Sequence, residues 1–190
     1  MSNPVQPAFT LTSLEDLATK AGRIALLAEG DSPKTAAAKR LDRLTRGALT
    51  RLMASEAWTK AKTGDAIDLA WPGGLAAETL QIVRLPRRAD QADARKAGGT
   101  IGRSLGKAGT LVIADAHPRA ADVAFGLALR AYDFTAHKTA EAKETGPVTI
   151  AVSAPDSAAA TYADYAALVE GVHFTRDLVN EPSNVLTTTE

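Results

Sequence analysis

The side chains best able to move protons near neutral pH are three histidines, His117, His137 and His173, because only imidazole titrates there unperturbed. No two of them stand four residues apart, the spacing at which a helix turns two imidazoles toward one metal ion. Cysteine is absent, which removes disulfides, thiolate metal sites and thiol nucleophiles together. A serine nucleophile would need the sharp G-x-S-x-G turn that lifts its hydroxyl above an α/β sheet, and the pattern does not occur. Asp115 and Asp133 remain as carboxylates for acid–base work.

Phosphate chemistry has one candidate stretch, AGGTIGRSLGKAG (97–109). Lys107 follows Gly106, but Ala108 stands at the Ser/Thr position of a P-loop and Ile101 at its first glycine. These glycines run through a predicted helix rather than a strand-to-helix loop, so Gly102 and Gly106 read as points where that helix approaches the sheet closely. A second candidate is the cationic run Lys34, Lys39, Arg40, Arg43, Arg46 and Arg51, opposed only by Asp42. No aromatic is interleaved to stack on bases, and a leucine stripe opposes it, so it reads as a solvated outer face. The chain carries 22 basic and 22 acidic residues for a formal charge of zero, which gives no field to draw in a nucleic acid or an anionic membrane. No apolar run approaches the roughly 20 residues of a membrane span, and the first residues lack the basic and apolar regions of a signal peptide. A cytoplasmic protein is expected.

The elements that would hold these residues alternate. AFTLTS and RIALLAEG (from Ala8 and Arg23) read as strands. A long helix follows, capped by Ser32 with Pro33 in its first turn, and with Ala37, Leu41, Leu44, Ala48 and Leu52 on one face. DAIDLAWPGGLAAETLQIVRLP reads as a hairpin turning at Pro72-Gly73-Gly74. The glycine-weakened helix, the strand TLVIADAH, a helix with Pro118 in its first turn, the strand GPVTIAVSA and a last helix from Pro155 complete the chain. Strands alternating with helices predict an α/β domain of three layers, a six-stranded mixed sheet flanked by helices.

Two stretches carry a resemblance. GLALRAYDFTAHKT resembles the Y-x-F-x-x-Y-K segment in the N-terminal domain of the leucyl (cytosol) aminopeptidase family, with Tyr132, Phe134 and Lys138 in place and His137 where Tyr is usual. TRDLVNEPSNVLTTTE resembles the family's R-D-L-x-N-x-P-x-N-x-L-T-P stretch, with Asn180, Pro182, Asn184, Leu186 and Thr187 in place and Thr188 where Pro is usual. The resemblance implies a macro-like N-terminal domain over 1–179 and, over 180–190, a connector into a catalytic domain that is absent. Full-length members are hexameric aminopeptidases whose catalytic domain binds two divalent metals, zinc or manganese, through Lys, Asp and Glu side chains beyond the connector. None of those ligands has a matching position here, so no catalytic, metal or cofactor residue is expected in this chain. Its role would be assembly or control of access to the active site. The alternative is a free-standing macro-like module for a nucleotide of the ADP-ribose kind or for nucleic acid.

The last helix adds an argument from its own pattern. At 100° per residue Tyr165, Leu168, Val169, Val172 and Val179 fall within an arc of about 100° and should face the sheet. Phe174 and Leu178 fall opposite, where an isolated domain should be polar. Phe174, Leu178, Asn180, Pro182 and Asn184 are therefore expected to contact a partner surface, most simply the chain's own catalytic domain.

Overall fold

The computed structural model describes residues 4–135 and 144–182. Six strands form one sheet: β1 (Ala8–Leu11), β2 (Arg23–Ala28), β3 (Ala66–Ala70), β4 (Thr79–Arg84), β5 (Thr110–Asp115) and β6 (Val148–Val152). Their order is β1-β6-β5-β2-β4-β3. Five run parallel, and β3 alone is antiparallel to its neighbour β4. Such a mixed sheet with a hairpin at one edge is what the alternating elements predict.

Apolar residues on both faces of the inner strands build two cores. Along β2, Ile24 and Leu26 face one side and Ala25 and Leu27 the other, the two-residue period of a pleated strand. The first core packs under α1 (Ala36–Leu44), α2 (Ala48–Met53) and α3 (Glu56–Lys60). The second packs under α4 (Gln91–Gly102), α5 (Ala120–Arg130) and α6 (Pro155–Asn180).

Several local expectations change. The long helix after Pro33 is two, α1 and α2, because Arg46 and Gly47 both adopt left-handed backbone, at φ 54° and 77°; α3 begins beyond it, capped by Ser55. Asp42 bridges the break by accepting from the Thr50 amide (2.8 Å) and hydroxyl (2.7 Å). Its N-cap is Thr35, whose side chain accepts from the Ala38 amide, rather than Ser32. Gly98 and Gly102 of α4 pack on α5, not on the sheet, whereas Gly106, beyond the helix, lies against Gly109 and Arg23 at the start of β2. A β-carbon at Gly98 would lie 2.0 Å from the Val123 carbonyl oxygen, and one at Gly126 would lie 2.0 Å from that of Arg95. Glycine is what lets these two backbones touch.

The two tryptophans differ sharply. Trp58 is fully buried in the first core and donates its indole N–H to the Gly30 carbonyl at 2.6 Å. Trp71 ends the β3 side of the hairpin, is 76% exposed, and adopts φ 47°, unusual for so bulky a residue.

Candidate functional site

The stretches that carry the family resemblance meet in space. Tyr132 leaves the end of α5 and lands on the last turns of α6. Its hydroxyl donates to Asp177 Oδ1 at 2.9 Å and accepts from Asn180 Nδ2 at 3.1 Å. The Arg176 guanidinium stacks 3.8 Å above its ring, and the His173 ring meets it edge-on at 5.0 Å between centroids. Burial pushes the Tyr132 phenol above its ordinary pKa, with the Asp177 carboxylate acting in the same direction against the Asn180 donor. Tyr132 thus serves α6.

This knot explains a correction to α6. Its buried residues are Tyr162, Val169, His173 and Asp177, whereas Leu168, Val172 and Val179 are exposed. The helix is turned by roughly 80° from the orientation its apolar content predicts, at 100° per residue. Nearer its start, Tyr165 donates to the buried Asp122 of α5 at 3.0 Å, and Phe9 of β1 packs on Tyr162. Farther along, the partners are polar, so polar residues are drawn inward. The available signal was the four-residue spacing of His173 and Asp177, which puts an imidazole and a carboxylate on one helix face.

Phe174 and Leu178 stand out from this helix, 49% and 38% exposed. Leu168, Val172 and Val179 flank them on the far side, so apolar surface borders both edges of the outer face. Asn180 is exposed, but its amide is already engaged with Tyr132 and with the Arg176 carbonyl at 2.8 Å. Pro182 follows the helix end and is exposed. Asn184, His137 and Lys138 lie outside the described residues.

The other candidates come apart. Asp115 ends β5, ahead of α5, and Asp133 follows the end of α5. Lys39, Arg43 and Arg46 are exposed, and Arg46 leaves the helical path. His117 is fixed as the neutral Nε2–H form: Nδ1 accepts from the Arg119 amide at 3.2 Å, and Nε2 donates to the Pro86 carbonyl at 3.1 Å. Burial lowers its pKa, helped by Arg87 and Arg119. Among the described residues no group of three or more His, Asp or Glu could hold a metal ion.

Hollows among the described residues were not foreseen, and two of them are lined by several charged side chains. One, of about 350 Å3, opens at the carboxyl ends of the parallel strands beside the start of α1, where open α/β sheets hold ligands. Its charges are balanced, Glu29 and Asp115 against Lys34 and Arg87. Glu29 accepts the Arg87 amide at 2.8 Å, and the Arg87 guanidinium donates to the Ala116 carbonyl at 3.0 Å. The other, shallower, gathers Lys60, Lys96, Arg103 and Arg130 around Asp65. Its Lys96 is held by the Thr63 carbonyl (2.7 Å) and by Asp65 (3.3 Å). The Asp65 carboxyl is kept below its usual range by the Lys62 amide first and Lys96 after it.

Residues 24–141 match the sequence profile of the cytosol aminopeptidase family, N-terminal domain. A relative named probable cytosol aminopeptidase, from Cereibacter sphaeroides, is 56% identical over 188 residues, covering 99% of this chain and 38% of that protein. The chain thus spans well under half the length of this relative. Among solved structures, a tomato leucine aminopeptidase mutant superposes with TM-score 0.70 at 18% identity, covering all of this chain and 41% of that one. A Trypanosoma brucei macrodomain in complex with ADP superposes at 0.57 and 14% identity, covering 83% of this chain and 67% of that one. The structural likenesses establish the macro-like fold, and the sequence matches establish the kinship: the chain belongs to the cytosol aminopeptidase family, of which it is an N-terminal domain.

Proposed function

We propose that this domain serves a leucyl-type metallo-aminopeptidase as its non-catalytic partner, and that residues 180–190 lead into the catalytic domain. The parent hydrolyses N-terminal residues from peptides in the cytoplasm, as a hexamer, with two divalent metals, zinc or manganese, held by residues beyond this chain. A metal-bound water is the nucleophile of such hydrolysis. The supporting observation is the apolar ridge of α6. Phe174 and Leu178 stand exposed on the helix that carries the chain toward that domain, and a lone domain has no use for them there. Asn180, Pro182 and Asn184 continue the contact. The domain's task is assembly or the shaping of access to the active site.

A chimera tests this reading. The matched 188 residues of the Cereibacter sphaeroides relative are replaced by this chain, and hydrolysis of a chromogenic leucyl amide and molecular mass are measured. The expected result is a hexamer active with added metal, while the 190-residue chain alone is inactive. An inactive, unassembled chimera beside an active natural relative overturns the proposal.

A second reading rests on the fact that a macrodomain of similar fold is in complex with ADP, and on the hollow at the carboxyl ends of the strands, where open α/β sheets hold ligands. Its balanced charge and the absence of a glycine-rich phosphate loop there weigh against a nucleotide. Calorimetry with ADP-ribose decides: tight binding would make this a ligand-binding module as well as a scaffold.

A further inference from the structure

Beyond Val169, α6 is held to the domain by an unusually polar surface. Its buried side chains there are His173 and Asp177, 2% and 4% exposed. Asp177 receives the Tyr132 hydroxyl. Neither ring nitrogen of His173 has a hydrogen-bond partner, and the ring is held by packing edge-on against Tyr132. A buried imidazole without partners is tolerable only while neutral, because a charge there would lose its hydration and gain little in return.

We propose that His173 is an acid-operated latch: proton uptake releases residues 170–180 of α6 from α5 and Tyr132 while the sheet stays folded. Among the described residues, these are the charged and titratable groups that act on the ring. Arg176 and Asp177 come from α6 itself and oppose one another. From the α5 side come the Tyr132 phenol and the Ala128 carbonyl, which pulls the pKa upward although neither ring nitrogen meets a partner in hydrogen-bond geometry. The charges of α5 lie elsewhere, Asp122 bonded to Tyr165 and Arg130 lining the groove with Arg103. β1 and β6 contain no ionisable residue.

Burial sets the direction, lowering the His173 pKa below the ordinary 6.5 against the pull of the Ala128 carbonyl and Asp177. The undocked helix therefore binds more protons than the docked one, and docking weakens as pH falls below 6.5. Phe174 and Leu178 ride on the released segment, so acid changes how the apolar ridge is presented. The latch goes beyond the proposed function and holds whatever covers that ridge.

Hydrogen exchange on the 190-residue chain tests it, compared at about pH 7.5 and about pH 5. In the unaltered chain, protection across 170–180 should fall several-fold in acid, because the released segment binds the proton that the docked one refuses, while β2, β4 and β5 keep theirs. His173→Phe should retain that protection in acid. Unchanged protection in the unaltered chain overturns the proposal, as does an equal acid loss in His173→Phe. If that variant does not fold, His173→Gln and direct NMR titration of the imidazole decide. A His173 pKa at or above 6.5 overturns it.

Discussion

Two adjacent glycines of α4 have opposite consequences. An alanine at Gly98 would place its methyl carbon 2.0 Å from the Val123 carbonyl oxygen, against backbone that cannot yield unless the helices part. Gly98→Ala should cost about 3 kcal/mol of stability. At Gly99 the nearest atom, the Gly126 carbonyl oxygen, is 3.9 Å away. There the same change should be neutral or stabilising by up to about 1 kcal/mol, through helix propensity and a less flexible unfolded chain. Urea melts of the two variants should therefore shift in opposite directions. Tyr132→Phe keeps the ring contacts but removes one donor to the buried Asp177 and one acceptor from Asn180. It should cost about 1–3 kcal/mol, seen first as faster exchange in the last turns of α6.

For the elements, exposure and interface make separable predictions about α6. Phe174→Asp with Leu178→Asp should change the isolated chain's stability by no more than about 0.5 kcal/mol, as exposed substitutions do. The same pair should disrupt assembly of the chimera, where a charge would be buried without a partner. Equal damage in both settings would mean that the residues belong to this domain's own packing. The places of the strands along the chain and the mixed character of the sheet were legible because the β2, β4 and β5 runs are apolar and bounded by Gly, Pro or Asp, and because Pro72-Gly73-Gly74 announces a hairpin; the order of the strands across the sheet was not. The break had one signal, Gly47, since a glycine in left-handed backbone commonly ends a helix. Nothing in Arg46 signals left-handed backbone, and the brace across the break is a distant side chain, Asp42 accepting from Thr50. The rotation of α6 was hidden for a related reason. Apolar periodicity locates a buried face only when the surface beneath is apolar, and Tyr132 makes it polar. The exposure of Phe174 and Leu178 was readable, because their place opposite the predicted stripe holds for either orientation.

For the whole molecule, acid should be the disruptive condition. His117 and His173 are both kept neutral by burial, each with its pKa below 6.5. The unfolded chain takes up protons that the folded chain refuses, so stability is highest above 6.5 and declines as pH drops through that value toward the lowered ones. Urea midpoints measured from about pH 7.5 to about pH 5 should show this slope. A combined His117→Gln and His173→Gln variant should flatten it. The contrast between Trp58 and Trp71, the chain's two indoles, lends such work an optical handle. Trp58, sealed in the core under α3, should emit in the blue and resist iodide, while Trp71 at the hairpin tip should emit in the red and be quenched at once. One spectrum then follows the interior and the rim of the molecule separately, with no dye attached.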